Sequence, residues 1–185
     1  MNTEKLLIHS PRLLIRNLRL TDLEAFHAYR SNPRVTRYQG FDTMTLEQAR
    51  DFIGAQQDRS YGRLGQWVQY GIELATTKEF IGDCAIRLNA DDSRIAAVGI
   101  TISPLHQQKG YARETLRAIL AFLFDSQGLH RVVETVDAGN TPSIRLLESL
   151  GFRREGYFVE NVFFKGEWGS EYQYALLARE WKNRS

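Results

Sequence analysis

Apolar and polar positions follow two rhythms along this chain. LLIRNL (13–18) opens with a short apolar run and reads as a first strand. WVQYGIELA (67–75), FIGDCAIRL (80–88) and IAAVGITIS (95–103) share that character and are rich in β-branched and aromatic residues. TTKE (76–79) between the first two predicts a hairpin. A slower period takes over at 111–126, where Leu116, Ile119, Leu120 and Leu123 fall at i, i+3, i+4 and i+7 on one helical face. Gly128 ends that helix, and RVVETVD (131–137) reads as a buried strand. Further strands are expected near 157–164 and 171–178.

Polar punctuation places the other helices. Thr21 stands three residues before Glu24, and Thr45 three before Gln48, the spacing of a capping box. Helices near 22–30 and 46–59 follow, with NPRVTRYQGFD (32–42) as a loop between them. Thr141 can cap a short helix that has Pro142 in its first turn and Gly151 at its end. The order is β-α-α-β-β-β-α-β-α-β-β. It predicts an α/β (α+β) fold, a mixed and mainly antiparallel central sheet with flanking helices. At 185 residues the whole chain, 1–185, has the size of one domain.

Composition narrows the function classes. Hydrophobic residues make up 43% and charged residues 25%, as in an ordinary soluble protein. A formal charge of +2 is too small to argue for nucleic acid or an anionic membrane surface. AILAFLF (118–124) is far short of a membrane span, and LLI (6–8) is too brief for a signal-peptide core. Cys84 is the only cysteine, so an intrachain disulfide is impossible and a reducing, cytoplasmic setting is expected. Four histidines show no metal-ligand spacing, and no metal is expected.

The candidate chemistry lies at the strand-to-helix turn SPLHQQKGYAR (103–113). Backbone N–H groups of Gln107, Gln108, Lys109, Gly110, Tyr111 and Ala112 would converge at a helix N-terminus, where the dipole favours an anion. Gly110 and Ala112 would let a pyrophosphate approach the backbone. Neither the P-loop nor the dinucleotide pattern fits. On chemistry alone the turn is compatible with an anion site or with a plain structural turn.

ITISPLHQQKGYARETL (100–116) resembles the acetyl-CoA loop of the GCN5-related N-acetyltransferases, whose pattern Q/R-x-x-G-x-G/A is met by Gln107, Gly110 and Ala112, with Pro104 upstream. HRVVETVDAGNTPSIRLLESLGFRREG (130–156) resembles the family's next strand, its N-x-x-S segment (Asn140, Ser143) and its L-G-F (150–152). Segments 18–40 and 165–181 are similar to the ribosomal-protein N-terminal acetyltransferase branch. The resemblance implies the family fold, in which the parallel strands 95–103 and 131–137 splay apart to admit acetyl-CoA. It assigns Thr101 and Ile102 backbone groups to the pantetheine and acetyl carbonyl, 107–112 to the pyrophosphate, and Asn140 and Ser143 to the pantetheine and sulfur. The amine then attacks the thioester directly. Family members are often dimers, so a homodimer is one expectation.

Two departures bear on the proton chemistry. The tyrosine common four residues after Ser143 is Leu147, and the glutamate common two residues before Gly99 is Ala97. Ser143 could bond the departing sulfur, a thiol of pKa roughly 8.5 that leaves tolerably as thiolate. Deprotonation at pH 7 costs an α-amine about 1 kcal/mol and a lysine-like amine roughly 4–5 kcal/mol, so only the latter demands a carboxylate. Three carboxylates on strands are candidates: Asp83 and Glu134 as catalytic groups and Glu73 on the acceptor side. Tyr38 and Arg37 in the 29–40 loop, and Trp168 and Trp67, are candidates for acceptor contacts. The resulting readings are transfer to a protein N-terminal amine, transfer to a polyamine or aminoglycoside, and a non-catalytic acyl-CoA-binding module.

Overall fold

The computed structural model describes residues 5–39 and 42–183. Among these, the apolar runs form strands β1 (Leu7–His9), β2 (Leu13–Asn17), β3 (Val68–Leu74), β4 (Phe80–Leu88), β5 (Ile95–Ile102), β6 (Arg131–Asp137), β7 (Arg153–Phe164) and β8 (Glu167–Leu177). The helices are α1 (Leu23–Arg30), α2 (Pro33–Thr36), α3 (Leu46–Gln57), α4 (Tyr111–Ala121), α5 (Thr141–Ser149) and α6 (Ala178–Lys182). All strands join one sheet in the order β1-β2-β3-β4-β5-β6-β8-β7. Every neighbouring pair is antiparallel except β5 and β6. This is the expected mixed, mainly antiparallel sheet with flanking helices.

Strand alternation divides the polar from the apolar face. Tyr70 and Ile72, Cys84 and Ile86, and Val98 and Ile102 point to one side, where Leu116, Ile119, Leu120 and Leu123 of the α4 segment complete the main core. Each such buried side chain contributes about 1.5–3 kcal/mol. The other side carries buried polar groups, Arg16, Glu73 and Asp83, beneath α1 and α3. Those two helices have their own apolar cluster, Leu18, Leu23, Phe26, Tyr29, Ala49 and Ile53. Cys84 is fully buried, and burial pushes its thiol pKa up.

The caps test the sequence reading directly. At α3 the capping box is present: Gln48 N–H donates to Thr45 Oγ1 at 3.2 Å, and Thr45 N–H to Gln48 Oε1 at 2.8 Å. At α1 the expected box is absent. Thr21 lies inside a short 3-10 turn (Leu20–Asp22), because Asp22 accepts the Arg19 N–H at 2.8 Å and is gripped by Arg16 at 2.8 Å on both oxygens. At α5 the cap is Asn140, not Thr141: its side chain accepts the Ser143 N–H at 3.3 Å. The long helix expected over 111–126 is α4 followed by a π turn, Phe122–Ser126, which brings the adjacent Leu123 and Phe124 both into the core. No helix among the described residues is long and apolar enough to cross a membrane.

Candidate acyl-transfer site

β5 and β6 run side by side for only three register pairs, Ile95↔Arg131, Ala96↔Val132 and Ala97↔Val133. Both strands continue, to Ile102 and Asp137, but the ladder does not. Between the separated ends lies a cavity of about 490 Å³. Its walls are Val98, Gly99 and Ile100 of β5, Glu134 through Asp137 of β6, Asn140, Ser143 and Leu147 of α5, and Arg37 and Tyr38 of the loop after α2. The β7–β8 hairpin closes one end with Phe164, Lys165 and Glu167.

Which backbone groups face that gap follows from alternation. Ser103 N–H bonds to Ile81 O at 2.9 Å, and Asn89 N–H to Ile95 O at 2.8 Å, so odd-numbered residues of this stretch turn their backbone toward β4. Thr101 is one of them. Its carbonyl would lie 2.3 Å from a Cβ at Gly82, which is why that position has no side chain. The expectation for Thr101 as a pantetheine contact is corrected by this register: its N–H and C=O are committed to the neighbouring strand. Val98, Ile100 and Ile102 instead direct theirs at the gap. Ile102 stays among the expected contacts, although its carbonyl accepts the Gln107 Nε2–H at 2.9 Å. Val98 and Ile100 were missed, and the signal that finds them is the parity of the strand.

The Gln107–Ala112 turn sits at the far end of β5. Gly110 has φ +81° and precedes α4, and Gln108 also has a positive φ, +61°. The first N–H of the helix to bond back is that of Glu114, to Gly110 O at 3.1 Å. The preceding N–H groups are thus presented at the positive end of the helix. Leu116, on the cavity wall, is five residues into α4, roughly 7–8 Å along its axis. Lys109 folds its ammonium back onto Leu105 O at 2.9 Å. A strand edge, a gap and an N–H cradle in line fit a thioester carried on a pantetheine arm and a pyrophosphate.

Of the candidate carboxylates, Glu134 is the one at the cavity. Burial pushes its pKa up to about 8, although the Val98 backbone N–H and the Arg87 charge act in the opposite direction. Asp83 is buried away from the cavity lining, ion-paired to Arg30 at 2.5 Å and hydrogen-bonded by Tyr29 and Gln69. With both oxygens engaged it is not available as a base. Glu73 is likewise buried and paired, with Arg16 at 2.7 Å. Neither lines the cavity, contrary to expectation. Both lie on the face of the sheet covered by α1, where Arg16 and Arg30 fold over them, and nothing in the sequence pattern shows that pairing.

Ser143 and Asn140 both reach the cavity, and Asn140 spends its side-chain oxygen on capping α5. Leu147 is buried in the core and offers no proton. Tyr38 lines the cavity beside Arg37, whose guanidinium lies 5.1 Å from its ring centre. Trp168 is 61% exposed and packs edge-on against Phe163, outside the lining. Trp67 packs under Arg87 at 4.7 Å. With Tyr157 and Val159, Phe163 and Trp168 form an exposed apolar edge that the sequence pattern does not announce.

A sheet opened between two parallel strands, with an anion cradle at the following helix, defines a class of acyl-transfer proteins. The chain belongs to the acetyltransferase (GNAT) family, whose domain model matches residues 12–153, and it is an N-acetyltransferase. It is 33% identical over 175 residues to the uncharacterized N-acetyltransferase p20 of Bacillus licheniformis, covering 94% of this chain and 97% of that one. A crystal structure of a GNAT-family acetyltransferase from Bacillus anthracis superposes with a TM-score of 0.84 at 32% identity, covering 95% of this chain and all of the other. Shorter matches are to the spermidine N(1)-acetyltransferase of Vibrio cholerae (34% over 92 residues, half of this chain and 53% of that protein) and the [ribosomal protein uS5]-alanine N-acetyltransferase of Escherichia coli (31% over 84 residues, 45% and 43%).

Proposed function

We propose that this protein transfers the acetyl group of acetyl-CoA directly to a primary amine, with a protein N-terminal α-amine as the leading acceptor. The observation that carries the donor reading is the ladder that stops at Ala97 and Val133, in line with the Gly110 turn. The N–H groups of Ile100 and Ile102 hold the pantetheine arm and the acetyl carbonyl, next to the Val98 N–H that Glu134 occupies. The turn 107–112 holds the pyrophosphate. Ser143 donates a hydrogen bond to the departing sulfur.

Glu134 takes the place of the missing glutamate at Ala97. It stands on the adjoining strand, one residue beyond the Ala97↔Val133 pair, and faces the Val98 N–H. A carboxyl with pKa about 8 matches an α-amine of roughly 7.7–8.0, so proton transfer between them is nearly thermoneutral. From a lysine-like amine near 10.4 the same transfer is uphill by roughly 3 kcal/mol. This match favours the α-amine. The partial similarities run to both acceptor classes, the uS5-alanine enzyme and the spermidine enzyme, and do not decide between them.

A second reading, a polyamine acceptor, rests on charge. Asp137 and Glu171 stand directly opposite each other on β6 and β8, and both line the cavity with Glu134 and Glu167, against Arg37 and Lys165. Like charges placed opposite repel, and a cationic acceptor would relieve that. Incubation with acetyl-CoA and a panel of N-terminal peptides, polyamines and aminoglycosides, followed by release of CoA, tests both. Turnover of peptides alone supports the first reading and of polyamines alone the second. Tight acetyl-CoA binding with no turnover across the panel would mark a non-catalytic module.

A further inference from the structure

The Arg12–Glu114 pair lies outside the cavity and takes no part in the steps above. Glu114 is in the first turn of α4, and its carboxylate collects three donors from the β1–β2 connection. These are Ser10 Oγ at 2.8 Å, the Arg12 backbone N–H at 2.8 Å and Arg12 Nε at 2.6 Å. Arg12 also reaches the turn itself. Its Nη1 donates to Lys109 O at 3.1 Å, and its guanidinium lies 4.6 Å from the Tyr111 ring centre. Gly110 borders this contact: a Cβ there would stand 3.4 Å from Arg12 Nη2, an ordinary van der Waals distance.

The turn needs such a support. Two of its residues, Gln108 and Gly110, have left-handed backbone conformations. The first N–H to bond back is that of Glu114, which leaves the N–H groups before it without a partner in the helix. Left to itself, such a loop relaxes toward conformations that bond those groups internally or to water. We propose that Arg12 and Glu114 are positioning residues for the donor: they clamp the 107–112 turn to the first hairpin of the sheet and keep its N–H groups convergent before any phosphate arrives. Burial alone would raise the Glu114 carboxyl, but the donors from Ser10 and Arg12 outweigh it and hold its pKa below the usual range, so the clamp is charged at neutral pH. The inference rests on the acetyl-CoA reading of the turn.

Calorimetric titration of acetyl-CoA into the wild type, Arg12→Met, Arg12→Lys and Glu114→Gln tests it, alongside thermal unfolding without ligand. The dissociation constant for acetyl-CoA is expected to rise about tenfold in Arg12→Met, about threefold in Glu114→Gln, and to an intermediate extent in Arg12→Lys, which keeps the charge but not the fork. For any acceptor the wild type uses, KM for the acceptor and kcat at saturating donor should stay within twofold. A purely structural pair would lower the unfolding temperature and leave the donor constant alone, and that result overturns the proposal. If Arg12→Met does not fold, Glu114→Gln decides by the same criterion. A wild type that binds no acetyl-CoA overturns the donor reading and this inference with it. A wild type that binds, with variants that bind equally, overturns the clamp alone.

Discussion

Two carboxylates on neighbouring parts of one sheet show how surroundings assign chemistry to a residue. Asp83 is buried among Arg30, Tyr29 and Gln69 and holds α1 onto β4. Removing it by Asp83→Ala should cost about 3–5 kcal/mol, read as a fall in the urea midpoint, because its partners lose a shared counter-charge. Glu134 is half-buried at the cavity wall, facing the Val98 backbone, and desolvation there pushes its pKa up to about 8. Activity is therefore expected to rise with pH through about 8, as the carboxyl loses its proton and can act as a base. Glu134→Gln should lower kcat by about 10²–10³-fold and flatten that limb of the pH–rate profile. In the sequence the two residues look alike, each an acid within an apolar run. What separates them is the pair of helix residues Tyr29 and Arg30, more than fifty positions from Asp83 in the chain.

At the scale of elements, periodicity was a good guide where one face is buried and a poor one where it is not. The α4 stripe, β6 and α5 were legible with bounds close to those found. β1 was not, since three residues carry no period, and β7 and β8 extend well beyond their apolar centres because the hairpin ladder continues through exposed residues. The 107–112 turn was legible as a motif, and the gap beside it only through resemblance, because a ladder that stops leaves no mark in either strand. Gly110→Ala would place a side chain at φ +81°, at a cost of about 1–2 kcal/mol, and bring a methyl into ordinary contact with Arg12. A weaker acetyl-CoA dissociation constant with a modestly lowered unfolding midpoint is the expected result. Leu120→Ala, in the buried stripe of the same helix, should cost about 2–5 kcal/mol while leaving donor affinity unchanged in the folded fraction.

For the whole molecule, these groups shape stability against pH from both sides. The folded state holds the Glu134 proton over a window, from the ordinary 4.5 up to about 8, in which the unfolded chain has released it. Stability therefore falls as pH rises through that window. Glu114 and Glu155 have lowered values, and their contribution is lost as pH falls below about 4.5. Unfolding temperatures measured from pH 4 to 9 should pass through a maximum, and Glu134→Gln should remove the decline on the alkaline side. An unchanged alkaline decline in that variant would assign it to another group.

The separated ends of β5 and β6 also create an edge in the middle of a sheet, where edges invite pairing with stray chains. Here it is short and stoppered at both ends, by the Glu134 carboxyl at Val98 and the Gln107 amide at Ile102, leaving Ile100 between them. Aggregation by strand addition needs a longer run of open rungs than that. The protein can thus wait for its donor with an open sheet and still resist polymerising through it.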